Sequence, residues 1–204
     1  MSAGVGSFEA LARTRRSIRR FRPDPVPQEV IRRLLEVACQ APSAHNRQPW
    51  RFVALGGGEG RRRLVEALSE RFTSDMEADG VPRPEAERRL ARSQERLRDA
   101  AWVVVLCMTA LEMDTYPDAK RAEAEQTMAV QSAALAGGNL LLAAHAEGLG
   151  ACWMCAPLFA PEIVRQTLDL PADWAPQAAI LLGTPGEPGV ARGRRPLDEV
   201  TLWR

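Results

Sequence analysis

Val30, Ile31, Leu34, Leu35, Ala38 and Ala41 recur at helical spacing, with Arg32, Arg33 and Glu36 on the opposite face. That spacing predicts an amphipathic helix, and Pro27 suits its first position. Phe8 to Thr14 predicts one or two further turns upstream. Trp50 to Leu55 reads as a strand, and a helix follows with Leu64, Val65, Leu68 and Phe72 along one side. Ala101 to Ala110 is a continuous, β-branched-rich apolar run, the pattern of a central strand buried on both faces. A long helix is expected from about Arg121 to Glu147, apolar nearly all round between Met128 and Ala146 and therefore packed between other elements. Its Gly137-Gly138 pair would let another backbone approach, and His145 near its end reads as structural. Gly148-Leu149-Gly150 caps it and feeds a strand from Ala151 to Cys155. A short helix from Pro161 to Leu170 and a last core strand from Gln177 to Leu182 precede a glycine- and proline-rich tail.

Residues 70 to 99 break this pattern. Leu90 and Leu97 are the only large aliphatics after Val81, and six arginines stand against three glutamates from Arg83 to Arg98. So thin an apolar stripe predicts an element outside the core: a solvated face, or a basic lid over a site for an anionic substrate, with Arg83, Arg88, Arg92 and Tyr116 as candidate contacts.

The chain has 204 residues, enough for one domain with such an excursion, and 46% hydrophobic with 26% charged residues is ordinary globular usage. A net charge of +1 does not advertise nucleic acid or an anionic membrane. Eight arginines between Arg13 and Arg33 raise a nucleic-acid arm, but Phe21 is the lone aromatic among them and a proline-rich turn follows at once. Cys39, Cys107, Cys152 and Cys155 are too scattered for a disulfide framework. No signal-like segment opens the chain and no apolar run reaches spanning length, so a cytoplasmic protein is expected.

Several chemistries fail on spacing. Gly56-Gly57-Gly58-Glu59-Gly60 lacks a following Gly-Lys-Ser/Thr, and Arg61 stands where a dinucleotide loop needs its third glycine. Cys152 and Cys155 would point to opposite faces of a strand, and no second pair completes a metal site, so no metal is expected. Two histidines and no nucleophile elbow leave hydrolysis unsupported.

Polar residues on a loop between rigid elements suit ligand binding, and Ala41-Pro42-Ser43-Ala44-His45-Asn46-Arg47-Gln48-Pro49-Trp50 is such a loop. A flavin mononucleotide (FMN) would ask for arginine forks at its phosphate and polar partners at its pyrimidine edge. Arg15, Ser17, Arg19, Asn46 and Arg195 are of those kinds. Arg15-Arg16-Ser17-Ile18-Arg19-Arg20-Phe21, followed by Pro42-Ser43-x-x-Asn46-x-Gln48-Pro49-Trp50, resembles the nitroreductase-fold flavoproteins in type, order and spacing.

The resemblance implies an α+β fold, a three-layer α-β-α sandwich with a mixed, mainly antiparallel sheet, as a helix-swapped homodimer with FMN at the interface. It implies Arg15 and Arg195 at the phosphate with Arg194 helping, and Ser17 and Arg19 at the pyrimidine edge. Arg16 stands where some members carry histidine. Pro42, Ser43, Ala44 and Asn46 would meet the ring, the first three from the other subunit. Backbone at Met154, Cys155 and Ala156 would face it, with NAD(P)H or another reduced donor as electron source. Ser74-Asp75, Tyr116-Pro117-Asp118-Ala119, Ala124-Glu125-Gln126-Thr127-Met128 and Leu168-Asp169-Leu170-Pro171 resemble the flavin domain of the coenzyme F-420 biosynthesis protein FbiB. That likeness implies reduction of the enol C=C of dehydro-coenzyme F-420-0. The alternatives are a generic NAD(P)H nitroreductase or enone reductase and a flavin- or deazaflavin-carrying protein without turnover. The loop Ala44-His45-Asn46-Arg47 does not resemble that of the flavin-cleaving enzyme of dimethylbenzimidazole synthesis.

Overall fold

The central strand is where the pattern predicted it. In the structure, a computed structural model that describes residues 5–204, β2 (Trp102–Met108) has Val103 to Cys107 fully buried. Its side chains alternate between two cores: Val104, Leu106 and Met108 face one, Val103, Val105 and Cys107 the other. β1 (Trp50–Leu55), β3 (Gly150–Met154) and β4 (Ala175–Gly183) complete a sheet of order β1-β2-β4-β3. All three pairings are antiparallel, so the expected mixed sheet reduces to one isolated parallel bridge, Ser17 with Ala151.

One face carries α2 (Gln28–Ala38) and the long α5 (Ala119–Ala146). The other carries α3 (Glu59–Ala78), α4 (Arg83–Asp99) and α7 (Pro161–Thr167), which gives the three layers expected. α1 (Val5–Thr14) packs on α5, where Thr14 Oγ1 lies 2.9 Å from His145 Nε2, a structural use of that histidine. Pro27 sits just before α2 rather than inside it.

Three expectations change on tertiary grounds. The polar stretch is no detached excursion: it is the end of α3 and all of α4, and Leu97 (2% exposed) joins Leu64, Val65 and Leu68 in the second core. Leu97, with Ala86 also buried, holds the polar helix against α3 and this core. At Gly137 the close neighbour is a side chain, not a backbone; an added Cβ would lie 2.4 Å from the Trp153 ring, whereas Gly138 faces open space. Finally, α5 is long and apolar enough to cross a membrane, with an 18-residue window of mean hydropathy 1.3. Its Ala129, Ala133, Ala136, Leu140 and Ala144 are instead fully buried against the sheet side.

Arg61, which breaks the glycine fingerprint, has a local job. Its guanidinium donates to the carbonyls of Ala100 and Ala101, tying the end of α4 to the start of α3, and burial pushes its pKa down.

Candidate functional site

The arginine segment after α1 is extended because it lies along the sheet edge. Ile18 N–H donates to Ala151 O at 2.9 Å, and Arg22 N–H to Thr184 O at 2.9 Å. Gly186 N–H returns a bond to Arg20 O, also 2.9 Å. Ile18 is buried and its neighbours Ser17 and Arg19 point away, as extended backbone requires. Glycines let the surrounding chain come this close. A Cβ at Gly150 would lie 2.8 Å from Ile18 Cγ2, and one at Gly189 only 2.2 Å from Arg16 Cβ.

The result is a narrow polar cleft of about 150 Å³, lined by Arg15, Arg16, Ser17 and Arg19 on one side and by Glu187, Gly189, Arg192 and Arg194 on the other. Five arginines face one carboxylate, and Glu187 is itself 3.7 Å from Arg20 outside the cleft. Like charges held this close repel, so the arrangement suits an anion with several acceptor oxygens. Two of the larger clefts are different in kind. One near Trp102 is mainly apolar, and another between α3 and α4 is floored by Phe72, Met76, Leu90 and Phe159.

Not every expected residue is presented equally. Arg16 Nη1 folds back on the carbonyls of Arg13 (2.5 Å) and Arg15 (2.8 Å). Arg194 Nη1 bonds Arg192 O and Gly193 O, so it lines the cleft with part of its fork engaged. Arg195 is exposed and does not line the cleft; Arg192 does, in its place. In a tail with arginines at 192, 194 and 195, alternation decides which reach inward, and sequence spacing alone could not say which set.

Arg96 on α4 was not singled out by the sequence. The Cys152 thiol is pushed up by burial and pulled back by the positive charges of Arg19, Arg96 and Arg15. Half-buried Arg96 thus acts on the Cys152 thiol as Arg19 and Arg15 do, but it does not line the cleft. Its only sequence signal was membership of the basic run in α4.

Met154 ends β3, Cys155 precedes α6 (Ala156–Phe159), and Cys155 is exposed while Cys152 is buried. The two cysteines are apart in environment because the strand stops between them. Among the described residues no group of three or more His, Cys, Asp or Glu is placed to hold a metal.

The second half of the expected site, Pro42 to Gln48, leads into β1 at the opposite sheet edge from the arginine segment on β3. Three inter-strand steps separate these edges, about 14 Å. Pro42 and Asn46 are exposed, Ser43 and Ala44 half-buried. Ser43 Oγ accepts from Gln48 N–H at 3.0 Å, and Ala44 N–H donates to Ser132 Oγ at 3.4 Å. Within one chain, then, the loop and the arginine cleft are not brought together.

The basic lid also changes character. Arg83 pairs with Glu87, while Arg88 and Arg89 both pair with Glu85, whose carboxyl Arg89 and Arg88 hold down to about 2. Tyr116 lies under Arg121, 4.6 Å from the ring centroid. Of the four candidate substrate contacts, Arg92 is exposed with no ion pair among the described residues, and the other three have partners within their own or the adjoining turn.

With this geometry in hand, comparison with known proteins is direct. The sequence model of the nitroreductase family matches residues 12–184. A protein called NADH dehydrogenase from Thermus thermophilus is 36% identical, over 93% of this chain and 92% of its own. A 5,6-dimethylbenzimidazole synthase from Rhodospirillum rubrum is 34% identical over 88% of this chain and 82% of its own, so the loop difference at 44–47 does not by itself set the chain apart from that group. Among solved structures, a putative nitroreductase from Desulfovibrio desulfuricans in complex with FMN has a TM-score of 0.74 at 28% identity, covering 96% of this chain and 95% of its own. The FMN-dependent nitroreductase NfnB from Mycobacterium smegmatis, in complex with NADPH, has the same fold, with a TM-score of 0.75 at 24% identity over 98% of each chain. The chain belongs to the nitroreductase family.

Proposed function

We propose that this protein is an FMN-dependent oxidoreductase that takes electrons from NAD(P)H and passes them to an electron-poor organic acceptor. The observation that carries the reading is the arginine cleft around Ser17, built from segments some 170 residues apart and short of negative charge. Arg15, Arg19 and Arg192 would hold the phosphate, with Arg194 and the half-engaged Arg16 beside them. Ser17 and Arg96 would serve the polar side of the ring system, and the chain at Met154 to Ala156 would border it. When bound, FMN supplies two-electron transfer between donor and acceptor, so the chain needs no nucleophile of its own. Its residues bind the phosphate, orient the ring and keep one face open.

Homodimerisation is part of the proposal. The loop from Pro42 to Asn46 lies at the far sheet edge from its own cleft, which suits service to a neighbouring subunit's flavin. The tail supports this: Leu202 is 82% and Trp203 76% exposed, surfaces that a second copy would cover.

The acceptor is best read as neutral. With Arg83, Arg88 and Arg89 held by glutamates, the groove between α3 and α4 offers apolar walls more than free cations. Reduction of dehydro-coenzyme F-420-0 rests on the quoted motifs alone and becomes one arm of the test. Purified protein should be yellow or take up added FMN, and Arg15→Ala and Arg19→Ala should each weaken that uptake; a protein that neither carries nor binds FMN ends the proposal. Turnover of a nitroaromatic or quinone with NADH or NADPH supports the general reductase. Turnover of dehydro-F-420-0 alone would restore the narrower substrate. Oxygen-dependent bleaching of the flavin without an acceptor would point to cofactor cleavage.

A further inference from the structure

The loop from Pro42 to Pro49 adopts a backbone that L-residues avoid: His45, Asn46 and Gln48 have φ of 48°, 54° and 50°. Three such residues in four persist only where surrounding contacts over-determine them. Of the side-chain contacts that do so, Ser43 Oγ with Gln48 N–H closes the loop on itself, and Ala44 N–H to Ser132 Oγ is long at 3.4 Å. Arg51 Nη1 on β1 donates to Gln48 O at 3.1 Å, and the shorter contact that leaves the loop is Arg47 Nη2 to Asp114 Oδ1, at 2.5 Å. Asp114 is itself anchored, because its N–H donates to Glu125 Oε2 at 3.3 Å and Glu125 is a buried carboxylate on α5. A continuous line of polar contacts thus runs from the core helix to the strained loop.

We infer that Arg47 and Asp114 are positioning residues, a latch that holds Ser43, Ala44 and Asn46 in the conformation presented to a neighbouring subunit's FMN. Neither side chain touches the cofactor; they act through the loop. The inference rests on the flavin reading above. Arg33 with Glu147, 3.4 Å apart, joins α2 to the end of α5 without touching the strained residues, and serves as the control.

The test measures FMN dissociation constants by flavin fluorescence, melting points without FMN, and kcat and KM with NADH and a nitroaromatic. Arg47→Ala and Asp114→Asn are each expected to weaken FMN binding about five-fold, the upper end for a half-exposed ion pair. The double variant should be no worse than either single, since both remove one contact. Arg47→Lys should stay within roughly two-fold of wild type, because it keeps the charge. Melting points without FMN should fall no further than that of Glu147→Gln, which should bind FMN normally. Unchanged affinity in both single variants, additive losses in the double, or an affinity loss matched by general destabilisation would overturn the latch while leaving the flavin reading intact. A wild type that binds no FMN would overturn both.

Discussion

Adding one methyl group at Gly189 should damage cofactor binding as well as the fold. A Cβ there would stand 2.2 Å from Arg16 Cβ, 2.9 Å from Arg16 Cγ and 3.0 Å from Ile18 Cδ1. Carbon atoms pack at about 3.5 to 4.0 Å, so the closest contact is short by more than 1 Å. Arg16 Cβ cannot rotate away as a side-chain tip could, because its backbone is fixed by the neighbouring Ile18 bond to Ala151. The tail has to move instead, at a cost of about 1–3 kcal/mol typical of overpacking. That movement draws Arg192 and Arg194 away from Arg15, Ser17 and Arg19 across the cleft. Gly189→Ala is therefore expected to weaken FMN binding by about ten-fold, equivalent to about 1.4 kcal/mol. Fluorescence titration with FMN reads this, alongside thermal melting of the FMN-free protein. Gly193→Ala is the matched control, since nothing lies within 4 Å of its added Cβ. Equal FMN affinity in the two variants would refute the cleft as the phosphate site.

Leu97→Ala should cost about 2–5 kcal/mol in urea unfolding, the range for a buried leucine, because Leu97 is 2% exposed; a loss below about 0.5 kcal/mol would return α4 to the status of a surface flap. Thiol titration of the native protein should show Cys39 and Cys155 reacting fast and Cys107 and Cys152 only on unfolding. Burial pushes Cys107 up to about 12; four fast thiols would contradict the buried pair. Glu85 has its folded pKa lowered to about 2 from 4.5 by Arg89 and Arg88. Its contribution to stability is thus present above the unfolded value and fades as pH falls from 4.5 toward 2. The stability gap between wild type and Glu85→Gln should close over that window in acid melts, and a gap independent of pH would refute the pairing.

Local pattern was enough for most of the architecture. Periodicity places α2, the central strand and α5 within a few residues, because a buried face forces apolar residues to the period of the element. Within the motif around Arg15 to Phe21, Arg15, Arg16, Ser17 and Arg19 line a cleft. What local pattern misjudged was the polar run to residue 99, where buried Leu97 and Ala86 hold a helix with ten exposed residues against the second core.

Which arginines face one another is a different kind of fact. Arg192 lines the cleft and Arg195 does not, because Gly189 and Gly186 set how the tail crosses the first strand-like segment. Arg96 acts on the Cys152 thiol only through the packing of α4, and Arg47 finds Asp114 across 67 residues of sequence. The sequence by itself determined the element types, the family motifs and the excess of arginine around Ser17. Tertiary structure decided which charges are free and which are paired, and it set the loop from Pro42 to Gln48 at the opposite sheet edge from the arginine cleft. The physical reason is that burial periodicity is written within a few residues, whereas charge pairing depends on distances that only long-range packing sets.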